Sequence, residues 1–170
     1  MSLNDLSIRV YADRDRDACR ALWAELTEHH RRIYDDATIG GREPGGYFDT
    51  YLATPGRVAS WVAVHQGVVV GLTGLFDLEG HGEVEPVVVT ERLRGSGIGR
   101  LLIEHALDDA RHRGLPYVTI QPVARNTSAI AAFHAVGFRA LGHVQLTIDL
   151  DRPAMRWRSG LNIHGLEMGW

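Results

Sequence analysis

The chain has 170 residues, 45% of them apolar, enough to bury one domain-sized core. Eighteen basic residues against twenty-one acidic ones leave a formal net charge of -3, which argues against a general nucleic-acid-binding protein. All eighteen are arginine, which excludes a lysine Schiff base and a phosphate-loop lysine and fits codon bias in a GC-rich genome.

Ile8 to Tyr11 reads as a first strand. Asp13 or Asp15 can cap a helix running to about His29, with Ala18, Leu22 and Leu26 along one face. The lone cysteine, Cys19, lies in this helix; it reads as a buried small hydrophobe and fits a reducing cytoplasm. Arg31 to Gly46 is irregular, broken by Gly40-Gly41 and Pro44-Gly45-Gly46. Tyr47, Phe48, Tyr51 and Leu52 fit a short helix ending near Pro55-Gly56. Val58 to His65 and Val68 to Leu78 are strands joined by a Gln66-Gly67 hairpin turn. Glu83 to Val89 is a fourth strand, in which Pro86 signals a bulge or a lost ladder bond. Gly97 to Arg113 is an amphipathic helix with Gly114 as its C-cap. Tyr117 to Val123 is a fifth strand, and Asn126 to Val136 a short helix closed by Gly137. Arg139 to Leu150 reads as a long strand and Leu161 to Met168 as a last one. This order predicts one mixed α/β domain of the α+β type over residues 1–170, with about four helices and a parallel crossover around the Gly97 helix. Met1 to Asp17 lacks a signal-peptide pattern, and no apolar run is long enough to span a bilayer, so no membrane partner is expected.

The most informative segment is the glycine turn that follows the fourth strand. Arg94-Gly95-Ser96-Gly97-Ile98-Gly99-Arg100 carries the chain from a strand straight into a helix. Glycines let backbone approach a ligand without Cβ clashes. The first N–H groups of a helix lack internal partners and sit at the positive end of its dipole. Such a turn suits a phosphate or diphosphate, to which Arg94 and Arg100 can add charge. The G-x-G-x-G spacing does not meet the dinucleotide fingerprint G-x-G-x-x-G. Nine histidines show no metal-ligand spacing, and no metal is expected.

Arg94-Gly95-Ser96-Gly97-Ile98-Gly99 matches the signature [RQ]-x-x-G-x-[GA] of the GNAT superfamily of N-acetyltransferases. Downstream, Asn126-Thr127-Ser128-Ala129-Ile130-Ala131-Ala132-Phe133-His134-Ala135-Val136-Gly137-Phe138 resembles a second element of that family. The two occur in family order, and the resemblance covers nearly the whole chain. It implies a mostly antiparallel sheet of about six to seven strands, splayed at strand four. It also implies a cytoplasmic bacterial enzyme with acetyl-CoA as donor and an amine as acceptor, a small molecule or a peptide. By the same resemblance, Val87, Val88 and Val89 flank the pantetheine arm, and a bulge at Pro86 helps open the sheet around it. The amides of Gly95, Ser96, Gly97, Ile98 and Gly99 hold the pyrophosphate, Asn126 bonds the arm, and a backbone N–H near Val88 or Val89 serves the oxyanion.

An acceptor ammonium must lose a proton before it attacks. Glu83 and Glu85 have period-two spacing on the fourth strand, so they share a face. Family bases often come from that strand, which makes Glu83 the first candidate and Glu85 the second. Phe133 stands beside the coenzyme where the family often has tyrosine, and it has no proton to give a thiolate. Tyr117 or water is the remaining acid, and a non-catalytic acyl-CoA sensor is the alternative reading. The resemblance places acceptor contacts in two loops. One carries Tyr34, Asp35 and Asp36; the other carries Arg152, Met155, Arg156, Trp157 and Arg158. Surface tryptophans Trp157 and Trp170 would suit a homodimer.

Overall fold

The computed structural model describes residues 5–148, 150 and 157–170. Strand β1 (Leu6–Val10) leads into helix α1 (Arg16–Tyr34), and a short α2 (Tyr47–Ala53) follows. Then come β2 (Arg57–His65), β3 (Val68–Asp77) and β4 (Gly82–Val89), helix α3 (Ile98–His112), β5 (Val118–Thr119) and helix α4 (Thr127–Val136). Strands β6 (Leu161–Ile163) and β7 (Leu166–Met168) close the order. The main sheet runs β1-β2-β3-β4-β5, antiparallel except for the parallel β4–β5 pair. Seven strands and four α-helices are thus present among the described residues, a mixed and mostly antiparallel α/β arrangement as expected. The strands are divided five and two between separate sheets.

The two faces of the sheet have different covers. Cys19 and Leu22 of α1 pack with Phe48 and Tyr51 of α2 on Val62, Leu72, Phe76 and Val88. On the other face Ala106 and Ala110 of α3 meet Trp61, Leu75 and Val84, while Ile98 and Leu102 meet Ala63 and Val70. Cys19 has no exposed surface, and burial pushes its thiol up to about 12, so it is the inert hydrophobe its surroundings require. Gln66 and Gly67 both take positive φ, the signature of a type I′ hairpin turn.

Several boundaries differ from the sequence reading. Helix α1 continues past His29 to Tyr34, with Arg31 and Arg32 in its last turn where the dipole favours cations, and Asp35 stops it at φ 54°. Neither Asp13 nor Asp15 caps α1 by a side-chain bond. Asp15 is instead clasped by Arg9 through two bonds of 2.6 and 2.7 Å. Strand β5 has two residues instead of the seven of Tyr117 to Val123, because its partner β4 diverges from it after Thr119. Residues 139–148 and 150 form no strand: Leu141, Leu146, Ile148 and Leu150 are exposed, so alternation there finds no sheet to complete. Leu161 to Met168 is a tight hairpin, not a single strand, turning at His164 and Gly165 with positive φ. No helix among the described residues is long and apolar enough to cross a membrane.

The Arg9–Asp15 clasp gives a pH dependence. The bond from Arg9 outweighs burial, and with the Ala12 amide it holds the Asp15 carboxyl below its ordinary range. A carboxyl lowered in the folded state stabilises the fold above its unfolded pKa and loses that contribution as pH falls through the folded one. Thermal melts should therefore show Asp15→Asn less stable than the parent at pH 7, with the gap closing below roughly pH 4. A gap independent of pH would contradict the clasp.

Candidate functional site

The site begins at an irregularity in β4. Thr73 pairs with Val87 and Leu75 with Val84, so Gly74 alone faces both Glu85 and Pro86. This is the bulge that Pro86 signalled. It has an effect that alternation alone does not show. Before it, Val84 points to the α3 face; after it, Val88 points to the α1–α2 face, although both positions are even. The extra residue inverts the pleat. Val87 and Val89 consequently pack on the α3 side, and Glu83, opposite in sense to Val84, lies on the α1–α2 side.

Gly74 is where α2 meets the bulge. A Cβ there would lie 1.9 Å from the Tyr51 hydroxyl oxygen and 2.7 Å from the Glu85 carbonyl oxygen. The hydroxyl occupies the space that glycine leaves and is hydrogen-bonded to Ser60 Oγ at 2.6 Å. Burial pushes the Tyr51 phenol up to about 12, so it stays protonated. Glu85 is exposed at the residue level, and its carboxylate has no hydrogen-bond or ion-pair partner among the described residues. Partial burial nevertheless raises its pKa, and the charge of Glu83 adds to that rise.

Beyond Glu83, β4 loses its second neighbour. The β4–β5 pairing consists of Gly82 with Val118 and Glu83 with Thr119; β4 then runs on to Val89 with that edge unpaired among the described residues. The gap between the strands is the expected splay. Gln121, two residues past the last pair on the β5 side, donates from Nε2 to Glu83 Oε1 at 2.9 Å across the vertex. Thr90 N–H bonds Val70 C=O, so ladder alternation turns Val88 toward β3 and the amides of Val87 and Val89 toward the open edge.

The open edge leads into the glycine turn. Glu25 of α1 anchors the approach, accepting from Thr90 Oγ1 at 3.0 Å and from Glu91 N–H at 2.7 Å. Gly97, at φ 94°, begins α3, and the first helical bond is Leu101 N–H to Gly97 C=O. The N–H groups of Gly95, Gly97, Ile98, Gly99 and Arg100 therefore have no partner among the described residues. No acidic residue sits in the first turn of α3 to compete for them. Ser96 differs: its N–H reaches Leu93 C=O at 3.4 Å and its hydroxyl donates to the same oxygen at 2.6 Å. Arg94 donates to Val89 C=O, and Arg100 pairs with Glu104 one turn on. An unpaired fan of amides with open space at Gly95 and Gly97 fits a diphosphate.

Around this centre the other expected residues are distributed unevenly. Asn126 caps α4, its Oδ1 accepting from Ala129 N–H at 3.1 Å. Phe133 lies half-buried against the Phe138 ring at 6.5 Å. Tyr117 stacks on His81 at 5.0 Å, at the closed end of the β4–β5 pair and outside the gap. Tyr34 belongs to the last turn of α1, where its ring lies 4.9 Å from the Arg125 guanidinium carbon. Asp35 is exposed, while Asp36 is engaged in its own turn by Thr38 N–H and hydroxyl, which lower its pKa. Trp157 is partly exposed; Arg152, Met155 and Arg156 lie outside the described residues. Among the described residues no group of three or more His, Cys, Asp or Glu could hold a metal.

Three residues of this neighbourhood are not apparent in the sequence. Glu25, Gln121 and Arg125 act across 65, 38 and 45 positions respectively, and no local pattern marks them. Arg125 is only 6% exposed and joins Tyr34 to the Trp170 backbone oxygen, to which its Nε donates at 3.1 Å.

The profile of the Acetyltransferase (GNAT) family matches residues 16–138. Over 98 residues the chain is 36% identical to mycothiol acetyltransferase from Thermobifida fusca, covering 56% of this chain and only 29% of that protein. Over 118 residues it is 27% identical to the ribosomal protein bS18-alanine N-acetyltransferase of Salmonella typhimurium, covering 69% of this chain and 72% of that one. The structure of AAC(6')-Iy in complex with the bisubstrate analogue CoA-S-monomethyl-acetylneamine shares the fold. Its TM-score is 0.61 at 17% identity, over 85% of this chain and 98% of that one.

Gly74→Ala should destabilise the protein by about 1–3 kcal/mol in chemical denaturation, because the new methyl displaces the Tyr51 hydroxyl against a carbonyl that cannot retreat. Unchanged or increased stability would contradict the packing of Tyr51 against the bulge.

Proposed function

Because the chain belongs to the GNAT acetyltransferase family, we propose that it moves the acetyl group of acetyl-CoA directly onto a primary amine. The observation that carries this reading is the row of unpaired amides from Gly95 to Arg100 beside the unpaired edge of β4. In this reading the amides of Gly95, Gly97, Ile98, Gly99 and Arg100 hold the pyrophosphate, with Arg94 adding charge. Val87 and Val89 offer backbone groups to the pantetheine arm, and Asn126 and Phe133 border it from α4. The family's use of acetyl-CoA supports the reading, as does the coenzyme A analogue bound by AAC(6')-Iy.

Glu85 is the better base of the two β4 carboxylates. Its carboxylate is unpartnered and its pKa is raised, whereas Glu83 already accepts a bond from Gln121. Glu85 removes a proton from the acceptor ammonium, and the amine lone pair then attacks the thioester carbon. The Val89 amide, turned to the open edge, stabilises the oxyanion. Phe133 cannot protonate the departing thiolate, and Tyr117 sits at the closed end of the strand pair, so water supplies that proton. The missing hydroxyl at Phe133 is also the one feature that favours a non-catalytic acyl-CoA sensor. The acceptor is a small molecule or peptide amine: one relative is named for mycothiol and another for an alanine of a ribosomal protein.

A panel of amines incubated with acetyl-CoA, read by mass spectrometry, tests the reading. At least one amine should gain an acetyl group, and Glu85→Gln should lower kcat/KM about a hundredfold or more without weakening CoA binding. The acid limb of the kcat/KM profile should lie above the ordinary carboxylate range, because a base with a raised pKa is lost to protonation at higher pH. Tight CoA binding with no turnover on any amine would favour the sensor. Gly97→Val should raise the CoA dissociation constant about tenfold, or ~1.4 kcal/mol, and Arg94→Ala should raise it less, both by calorimetry. Unchanged affinity in Gly97→Val would contradict the diphosphate site.

A further inference from the structure

Resting on that reading, we propose that Gln121 is a positioning residue that divides the work of the two β4 carboxylates: it fixes Glu83 as a stationary charge and leaves Glu85 to take the acceptor's proton. The geometry begins at the vertex of the splay. Backbone pairing between β4 and β5 ends at Glu83 and Thr119. The next link is made by side chains, Gln121 Nε2 to Glu83 Oε1 at 2.9 Å. The amide orientation follows from chemistry, since an ionised carboxylate only accepts and the NH2 group must face it. Glu83 is thereby held across the vertex of the gap. Glu85, two residues on and displaced by the bulge, has no such tie.

The consequence is electrostatic. Burial first, and the charge of Glu83 second, favour the protonated form of Glu85. The other groups near the Tyr51 side of the bulge are neutral or tied to protein partners. Burial pushes Tyr51 on α2 and Cys19 on α1 up to about 12, so both stay neutral. Arg57 on β2 lies over the Tyr51 ring at 5.8 Å and is bound to Leu52 C=O and Ser60 Oγ. In the step itself one N–H bond of the ammonium breaks and one O–H bond forms on Glu85. Releasing Glu83 from Gln121 lets its charge drift into solvent and lowers the proton affinity of Glu85.

The experiment compares the parent chain with Gln121→Ala, Glu83→Gln and the double variant. Gln121 is exposed, so its truncation leaves the fold intact, which circular dichroism checks. The Glu85 side-chain carboxyl is titrated by carbon-13 NMR in the free protein, its signal assigned by its loss in Glu85→Gln. Glu83→Gln should lower the midpoint of Glu85, Gln121→Ala should lower it part of the way, and Gln121→Ala should add nothing in the Glu83→Gln background. With an amine accepted in the panel, Gln121→Ala should lower kcat about three- to tenfold, shift the acid limb downward and leave CoA affinity unchanged. A Glu85 midpoint unmoved by either single substitution, or moved equally by Gln121→Ala in both backgrounds, overturns the proposal. Failure of every amine in the panel defeats the acetyltransferase reading instead, and the titration still decides whether Gln121 works through Glu83.

Discussion

Backbone amides and carbonyls away from secondary structure must find partners or water. This chain leaves two adjoining sets of them open. One is the edge of β4 beyond Glu83, abandoned when β5 turns away after Thr119. The other is the start of α3, where five N–H groups from Gly95 to Arg100 have no partner among the described residues. Sheet edges and helix starts are common, but here one continuous stretch of chain, from Glu83 to Arg100, presents both. The surrounding structure fixes that stretch: Tyr51 fills the gap at Gly74, Glu25 grips Thr90 and Glu91, and α3 is seated by Ile98 and Leu102.

The bulge at Glu85 and Pro86 connects this scaffold to chemistry. Without it, strict alternation would place Glu83, Glu85, Val87 and Val89 on one face. With it, Glu83 falls on the α1–α2 face with Val88, and Val87 and Val89 pack on the α3 face with Val84. One strand thus presents carboxylates at one end and apolar side chains with free backbone at the other. An acyl transfer with a long thioester donor and an amine acceptor needs both.

Features set by local rules were legible in the sequence. Gln66-Gly67 demands positive φ and makes a hairpin; Gly114 and Gly137 end helices; the apolar stripe of α3 needs only its own period. Asn126 caps α4 because its side chain bonds an amide three residues away. Pro86 signalled a bulge, but the inversion of faces required knowing that the extra residue lies on β4. Propensity misled where no partner exists. Tyr117 to Val123 and Arg139 to Leu150 have the residues of strands, yet a strand is stabilised by its neighbour, and β4 has turned from the first while no described strand pairs with the second. Gln121, Glu25 and Arg125 were not readable because each acts through a partner far along the chain. The Arg31-Arg32 pair that extends α1 to Tyr34 was readable in principle, since cations suit the last turn of a helix.

The central claim is that the unpaired amides of the glycine turn hold the coenzyme's diphosphate. Amide hydrogen exchange, followed residue by residue by nitrogen-15 NMR with and without coenzyme A, tests it directly. The account predicts slowed exchange and shifted resonances at Gly95, Gly97, Ile98, Gly99 and Arg100 when coenzyme A binds. Binding that leaves those five amides unchanged while protecting another part of the chain would contradict it.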